Sequence, residues 1–247
     1  MTSSKTPPAQ AFARTHGSPG VRVRWVGILR LFWPLALGLF AAGYLVRCGI
    51  PHPALSPLAA GLGLLALAAL LRLVQARALD RFGAFLKGAH GEEMVARELA
   101  LLPGSFEVFH GLPRPSGGGD FDHVVLGPGG VAVLETKHWS GPVTYQDGEL
   151  FACGRRPTRS PIAQTRRAAA QLRAALAARD ADPGEVLPVI CLAGNPFEQE
   201  TLAADGLHIC NGRSTGAVLL SLLGQPAAPP ALPREAIAEA LRAWSGE

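Results

Sequence analysis

Residues 120–126 read Asp120-Phe121-Asp122-His123-Val124-Val125-Leu126, and Gly127-Pro128-Gly129-Gly130 follows. Residues 131–137 then read Val131-Ala132-Val133-Leu134-Glu135-Thr136-Lys137. Residues 121–126 and 131–136 read as two strands, and the four residues between them as a tight turn. The rest of the fold follows outward from this hairpin. Upstream, residues 91–102 read as an amphipathic helix with Met94, Val95, Leu99 and Leu102 near one face. Pro103 and Gly104 stop it. Residues 106–112 alternate as a strand, and residues 113–119 form a Pro/Ser/Gly loop. Downstream, short strands near 143–146 and 150–153 flank a turn at Asp147-Gly148. Residues 161–179 read as an Ala/Arg/Gln/Leu helix. Apolar strands are expected at 186–192 and 207–210, and helices near 215–223 and 233–244. This order is α/β with a mixed sheet.

The same hairpin carries chemistry. Period-2 geometry points Glu135 and Lys137 to one face of a strand end. Asp122 lies on the partner strand, so the three can converge. Charges this close are costly unless paired or metal-bound. Two carboxylates and the carbonyl between them suit a hard cation, Mg²⁺ or Mn²⁺. A lysine beside them can orient a water and stabilise charge on a phosphate. The chain has 20 Arg and three Lys, at positions 5, 87 and 137, yet it keeps a lysine here. Guanidinium does not replace a compact ammonium that can shed a proton. An ordinary salt bridge from Lys137 to Glu135 or Asp122 is the competing reading of these residues.

The wider pattern is Gly91-Glu92, the strand pair with Asp122, Leu134-Glu135-Thr136-Lys137, Ser140-Gly141, and a helix opening Pro161 with Gln164. Over roughly residues 88–195 it resembles the NERD family, the nuclease-related domain. That family is similar to the PD-(D/E)XK nucleases and to archaeal Holliday-junction resolvases. The resemblance implies a restriction-endonuclease-like core. It makes Glu92 the helix acid, Asp122 the first strand acid, Glu135 and Lys137 the E-x-K pair, and Gln164 the helix glutamine. Glu92 would assist Asp122 and Glu135 in holding the metal. Resolvase-like folds often pair, so a homodimer is a further implication. His138 stands where the family commonly has Asn, which leaves the core intact but changes the local substrate contacts.

Arg155, Arg156, Arg159, Arg166, Arg167, Arg173 and Arg179 form a run with no acid between residues 150 and 179. The first six are candidates for holding phosphates, with binding that weakens in salt. A solvated helix face is the alternative. The histidines show no metal-binding spacing, and His123 points to the sheet face opposite Asp122, as a packed residue would. Gly117-Gly118-Gly119 precedes a strand and is no P-loop. Cys48, Cys153, Cys191 and Cys210 make neither a zinc site nor a disulfide framework.

The 247 residues are 48% hydrophobic with mean hydropathy +0.21, which excludes a disordered chain. Net charge is +4, but residues 1–79 hold eight basic residues and no acid, and residues 80–247 hold 15 basic and 19 acidic ones. The excess flanks two apolar runs, 26–46 and 57–71. The first meets the length of a membrane helix, and the second is marginal, with Arg72 snorkelling near its end. Together they read as a transmembrane hairpin whose basic outer flanks put both ends in the cytoplasm of a multi-pass inner-membrane protein. The expected organisation is a disordered basic tail at 1–24, the hairpin at 25–75, and a helical juxtamembrane linker at 76–90. A nuclease-like domain at 91–212 and C-terminal helices at 213–247 complete it. Three functions compete: a membrane-anchored, metal-dependent nuclease cleaving DNA, a non-catalytic tethered nucleic-acid-binding or protein-interaction module, and a hairpin whose lateral contacts are the main function. Branched, damaged or foreign DNA and RNA all stay open as substrates.

Overall fold

The structure is a computed structural model. It describes residues 12–20, 24–29, 32–33, 36–38, 40, 73, 83–117, 119–194, 197–226 and 233–246. The chain divides into two compact units, Met1–Gly20 with His90–Glu247, and Val21–Ala89. In the second unit the described residues are helical, including 24–29 (α1) and the start of α2, which is described over residues 83–100. Among the described residues, no helix is long and apolar enough to cross a membrane. The second expected span, 57–71, lies wholly outside the described residues, and the first, 26–46, lies mostly outside them.

The first unit is built on a seven-stranded sheet in the order β1-β2-β3-β4-β7-β9-β8. The strands are β1 (Arg14–His16), β2 (Glu107–Pro113), β3 (Asp120–Gly127), β4 (Gly130–Lys137), β7 (Val186–Leu192), β8 (Thr201–Ala204) and β9 (Leu207–Asn211). A separate hairpin joins β5 (Val143–Gln146) and β6 (Glu149–Ala152). The helices are α3 (Pro161–Ala177), α4 (Thr215–Leu223) and α5 (Arg234–Ser245). Strands β2, β3 and β4 are antiparallel neighbours. Strands β4, β7 and β9 run parallel, so the sheet is mixed as expected.

The alternating side chains of the strands supply three buried clusters, two of which flank β3 and β4. Val124, Leu126, Val131 and Val133 face Ala168, Leu172 and Leu176 of α3 and Ile237 and Leu241 of α5. Val125, Ala132, Leu134 and Cys191 face Val95 and Leu99 of α2 and Leu219 and Leu223 of α4. Two strand faces buried under helices give the three-layer arrangement in which a near-continuous apolar strand is stable. His123 lies fully buried on the α2–α4 side, a packed residue away from Asp122.

Two expectations change. The tail at 1–24 is not wholly irregular: residues 14–16 form β1, which pairs in parallel with β2 at Glu107, Val108 and Phe109. His16 is buried and stacks on Phe109 with ring centroids 4.6 Å apart. These tertiary contacts order a polar segment that has no periodicity of its own. The boundary at 212 also dissolves, because α4 and α5 supply core side chains to the same unit as the sheet.

Candidate active site

The site forms where β3 and β4 part. Their ladder runs from Gly127↔Gly130 to His123↔Leu134. Beyond it, Oδ2 of Asp122 accepts a hydrogen bond from the Thr136 backbone N–H at 2.8 Å. A side chain thus replaces the main-chain partner, and the strand ends are held together through a carboxylate. On β4, Glu135 is 4% exposed and its side chain points to the face covered by α3.

Helix α3 is started by its own sequence. Ser160 is the N-cap, its hydroxyl accepting from the Ala163 N–H at 3.2 Å, and Pro161 opens the first turn. The Ser160 hydroxyl also donates to Oε2 of Glu149 at 2.9 Å, tying the helix start to β6. This places Gln164 on the first turn, above the end of β4. Gln164 Nε2 donates to Glu135 Oε1 at 2.6 Å, and Lys137 Nζ donates to the same oxygen at 2.5 Å and to Gln164 Oε1 at 3.3 Å. Glu135, Lys137 and Gln164 are therefore one hydrogen-bonded triad.

Arg114 was not foreseen. Its Nη2 donates to Glu135 Oε2 at 3.4 Å, its Nε donates to the Asp120 carbonyl at 3.0 Å, and its guanidinium lies over the Phe121 ring at 5.2 Å. The residue sits in a Pro/Ser/Gly loop, where nothing local marks it. Gly20 was also missed: its N–H donates to Glu92 Oε2 at 2.9 Å.

Glu92 of α2 and Asp122 complete the constellation electrostatically. Burial, then the Asp122 neighbours Glu135 and Glu92, push the Asp122 carboxyl well above its usual range. Burial also raises Glu92 to about 7, with added repulsion from Glu135 and Asp120, despite the opposing Gly20 bond. Such a like-charge cluster, short of positive charge, is what a cation relieves. The donors are all carboxylate oxygens, which suits a hard divalent ion. As placed, no three His, Cys, Asp or Glu side chains among the described residues stand close enough together to hold a metal ion.

The arginines divide. Arg156 pairs with Glu149 at 2.7 Å, Arg166 with Asp205 at 3.9 Å, and Arg173 with Asp182 at 3.6 Å. Arg179 lies over the Trp244 ring at 4.4 Å. Arg167 donates to the Ala163 carbonyl within its own helix. Arg155 and Arg159 are exposed and make no ion pair among the described residues. Exposed pairs of this kind are worth about 0–1 kcal/mol, so a phosphate can displace them at little cost.

No curated protein and no solved structure matches the chain. Residues 87–193 match the family model of the nuclease-related domain, NERD. That span runs from α2 to the end of β7 and contains Glu92, Arg114, Asp122, Glu135, Lys137 and Gln164. Over residues 87–193 the chain is therefore similar to the nuclease-related domain family.

Proposed function

We propose that this protein is a metal-dependent nuclease that hydrolyses phosphodiester bonds of DNA. The observation that carries this reading is the Glu135–Lys137–Gln164 triad, set beside Asp122 and Glu92, whose pKa values are raised first by burial and then by repulsion from neighbouring carboxylates. Asp122 and Glu135 would hold a divalent ion, with Glu92 contributing directly or through water. A Mg²⁺ or Mn²⁺ ion there would supply the positive charge that offsets the carboxylates and polarises a phosphoryl oxygen. Lys137 is positioned to orient the attacking water, because Glu135 and Gln164 fix its ammonium. Gln164 keeps the Glu135 carboxylate oriented. Arg114 balances the second oxygen of Glu135 and stands ready to meet a phosphate. Arg155, Arg159 and Arg167, with Arg156, Arg166 and Arg173 once exchanged from their surface partners, track the backbone of the nucleic acid.

The reading also places the protein at a membrane, with the domain on the cytoplasmic side. Its support is the sequence alone: two apolar runs, 26–46 and 57–71, with basic outer flanks.

One observation favours a second reading, a nucleic-acid-binding module without catalysis. Both oxygens of Glu135 are already engaged, by Lys137 and Gln164 on one side and Arg114 on the other. Cleavage assays with Mg²⁺ and Mn²⁺ separate the two. They should use the full chain, because β1 and Gly20 belong to the folded domain. Cation-dependent cleavage that Lys137→Ala abolishes supports the nuclease. DNA binding without cleavage across duplex, branched and single-stranded substrates supports the module.

A further inference from the structure

A crevice of about 490 Å³ opens at the carboxyl ends of β7 and β9. Its position follows from the topology. Helix α3 lies on one face of the sheet and α4, which follows β9, on the other. Where chains leave parallel strands toward opposite faces, a cleft forms outside the strand ends.

Leu192 at the end of β7 and Met94 of α2 supply apolar lining. Asn211 at the end of β9 is committed to structure: its Oδ1 accepts from the Phe197 N–H at 2.8 Å and its Nδ2 donates to the Phe197 carbonyl at 3.3 Å. Arg213, Ser214 and Glu200 also line the crevice. Their side chains make no ion pair or hydrogen bond among the described residues. Arg213 and Glu200 thus carry opposite charges into one cavity without pairing. Such a lining suits a ligand with an anionic end, a flat apolar body and an N–H donor.

The crevice adjoins the proposed active site. Leu192 is the register partner of Lys137 across β4 and β7, and the Ala193 N–H donates to the Lys137 carbonyl at 2.9 Å. His138 fills the space between, packed so closely that a Cβ on Gly91 or Gly194 would overlap its side chain.

We infer that this crevice receives one unstacked nucleotide of the strand whose phosphodiester lies at Lys137, an assignment that rests on the nucleic-acid reading of the site. Arg213 and Ser214 bind its phosphate, Met94 and Leu192 contact the base, and Glu200 accepts from a base N–H. The cavity lies within the range of small-molecule sites, about 300–1,000 Å³, and a splayed base is a common target of single-strand recognition. Phosphate at Arg213 fixes the register of the strand, and Glu200 accepts from the N–H that each base carries on its pairing edge.

The test is equilibrium binding of each of the four deoxynucleoside 5′-monophosphates, and of inorganic phosphate, to the purified full chain in detergent. Binding is read whether or not the protein cleaves DNA, so loss of the nuclease reading and loss of this one are distinguishable. We expect at least one nucleotide to bind more tightly than phosphate, and at least tenfold weaker binding in Arg213→Ala. Met94→Trp, which fills the crevice from another element, should block binding as well. Absence of binding by all four nucleotides, binding that Arg213→Ala leaves intact, or phosphate binding as tightly as every nucleotide would each overturn the assignment.

Discussion

The Gly20 backbone N–H donates to Oε2 of Glu92 at 2.9 Å, across 72 positions of sequence. Gly20 closes the N-terminal arm, and the next residue begins the other compact unit. The arm is held by the short parallel pairing of β1 and by the close seat of Gly17, where a Cβ would overlap the His110 carbonyl. Its φ of +77° is also one that side chains rarely adopt. Gly17→Ala should dislodge the arm and remove the one hydrogen bond that lowers the Glu92 pKa. The Gly20 amide resonance should titrate with a midpoint near the Glu92 value of about 7, and Glu92→Gln should abolish that titration. A Gly20 amide flat from pH 5 to 9 would contradict the contact.

The same carboxylate makes stability depend on pH. The Glu92 pKa is raised from 4.5 to about 7, so the folded state binds more protons than the unfolded state between those values. Its contribution is present below pH 4.5 and is lost as pH rises through 7. Asp122 acts in the same direction. Relative to Glu92→Gln, the wild-type chain without added cation should lose about 1–3 kcal/mol between pH 5 and 8. Millimolar Mg²⁺ should reduce the loss. Thermal melts of the two proteins over that range measure it, and parallel curves would remove Glu92 from the cluster.

The opposite sign holds for the buried histidines. His110 and His123 meet Nδ1 to Nδ1 at 2.7 Å, one ring donating and the other, neutral, accepting. His123 Nε2 is buried without a partner, so the proton belongs on its Nδ1, because a bare acceptor is the cheaper orphan. Burial lowers His110 to about 4 and His123 well below its usual value. Their contribution is therefore present above pH 6.5 and lost as pH falls toward 4. His123→Leu should flatten this acid limb in a urea-unfolding series from pH 7 to 4. An unchanged slope would contradict the neutral pair.

Arg242 grips Glu107 with two hydrogen bonds, at 3.0 and 2.7 Å, fastening α5 to β2. Burial works against the Glu107 charge, yet the Arg242 bonds hold its carboxyl below the usual range. Arg242→Ala leaves that buried carboxylate without its two guanidinium hydrogen bonds, and should cost about 3 kcal/mol. Glu107→Gln in the same background should recover part of the loss. Chemical denaturation of the wild type, the two single variants and the double variant gives the coupling.

What could be read from the sequence was what local chemistry specifies. The hairpin around Gly127-Pro128-Gly129-Gly130, the strand at Val186–Leu192 and the helix at Thr215–Leu223 all stand where patterning put them. Glu135 and Lys137 were legible because a strand's period of two points both side chains to one face, and Gln164 was legible through the family resemblance. What stayed hidden depends on distant partners. β1 is an Arg-Thr-His edge strand ordered by Phe109 and Pro103, and β8 is a Thr-Leu-Ala-Ala edge strand seated on β9. Arg114 acts through a loop, and Gly20 through a main-chain N–H that no side-chain pattern can announce.

The most direct measurement is DNA cleavage by the full chain with Mg²⁺ or Mn²⁺, beside Lys137→Ala and Asp122→Asn. Asp122→Asn keeps the side-chain shape and relieves repulsion among the carboxylates, and Lys137→Ala trims a part-exposed side chain at the end of β4, so circular dichroism should show the fold intact. The geometry predicts cation-dependent cleavage by the wild type, reduced at least 100-fold in each variant. Cleavage that survives in both variants, or that proceeds equally in EDTA, would contradict the assignment of Asp122, Glu135 and Lys137 as the reacting centre.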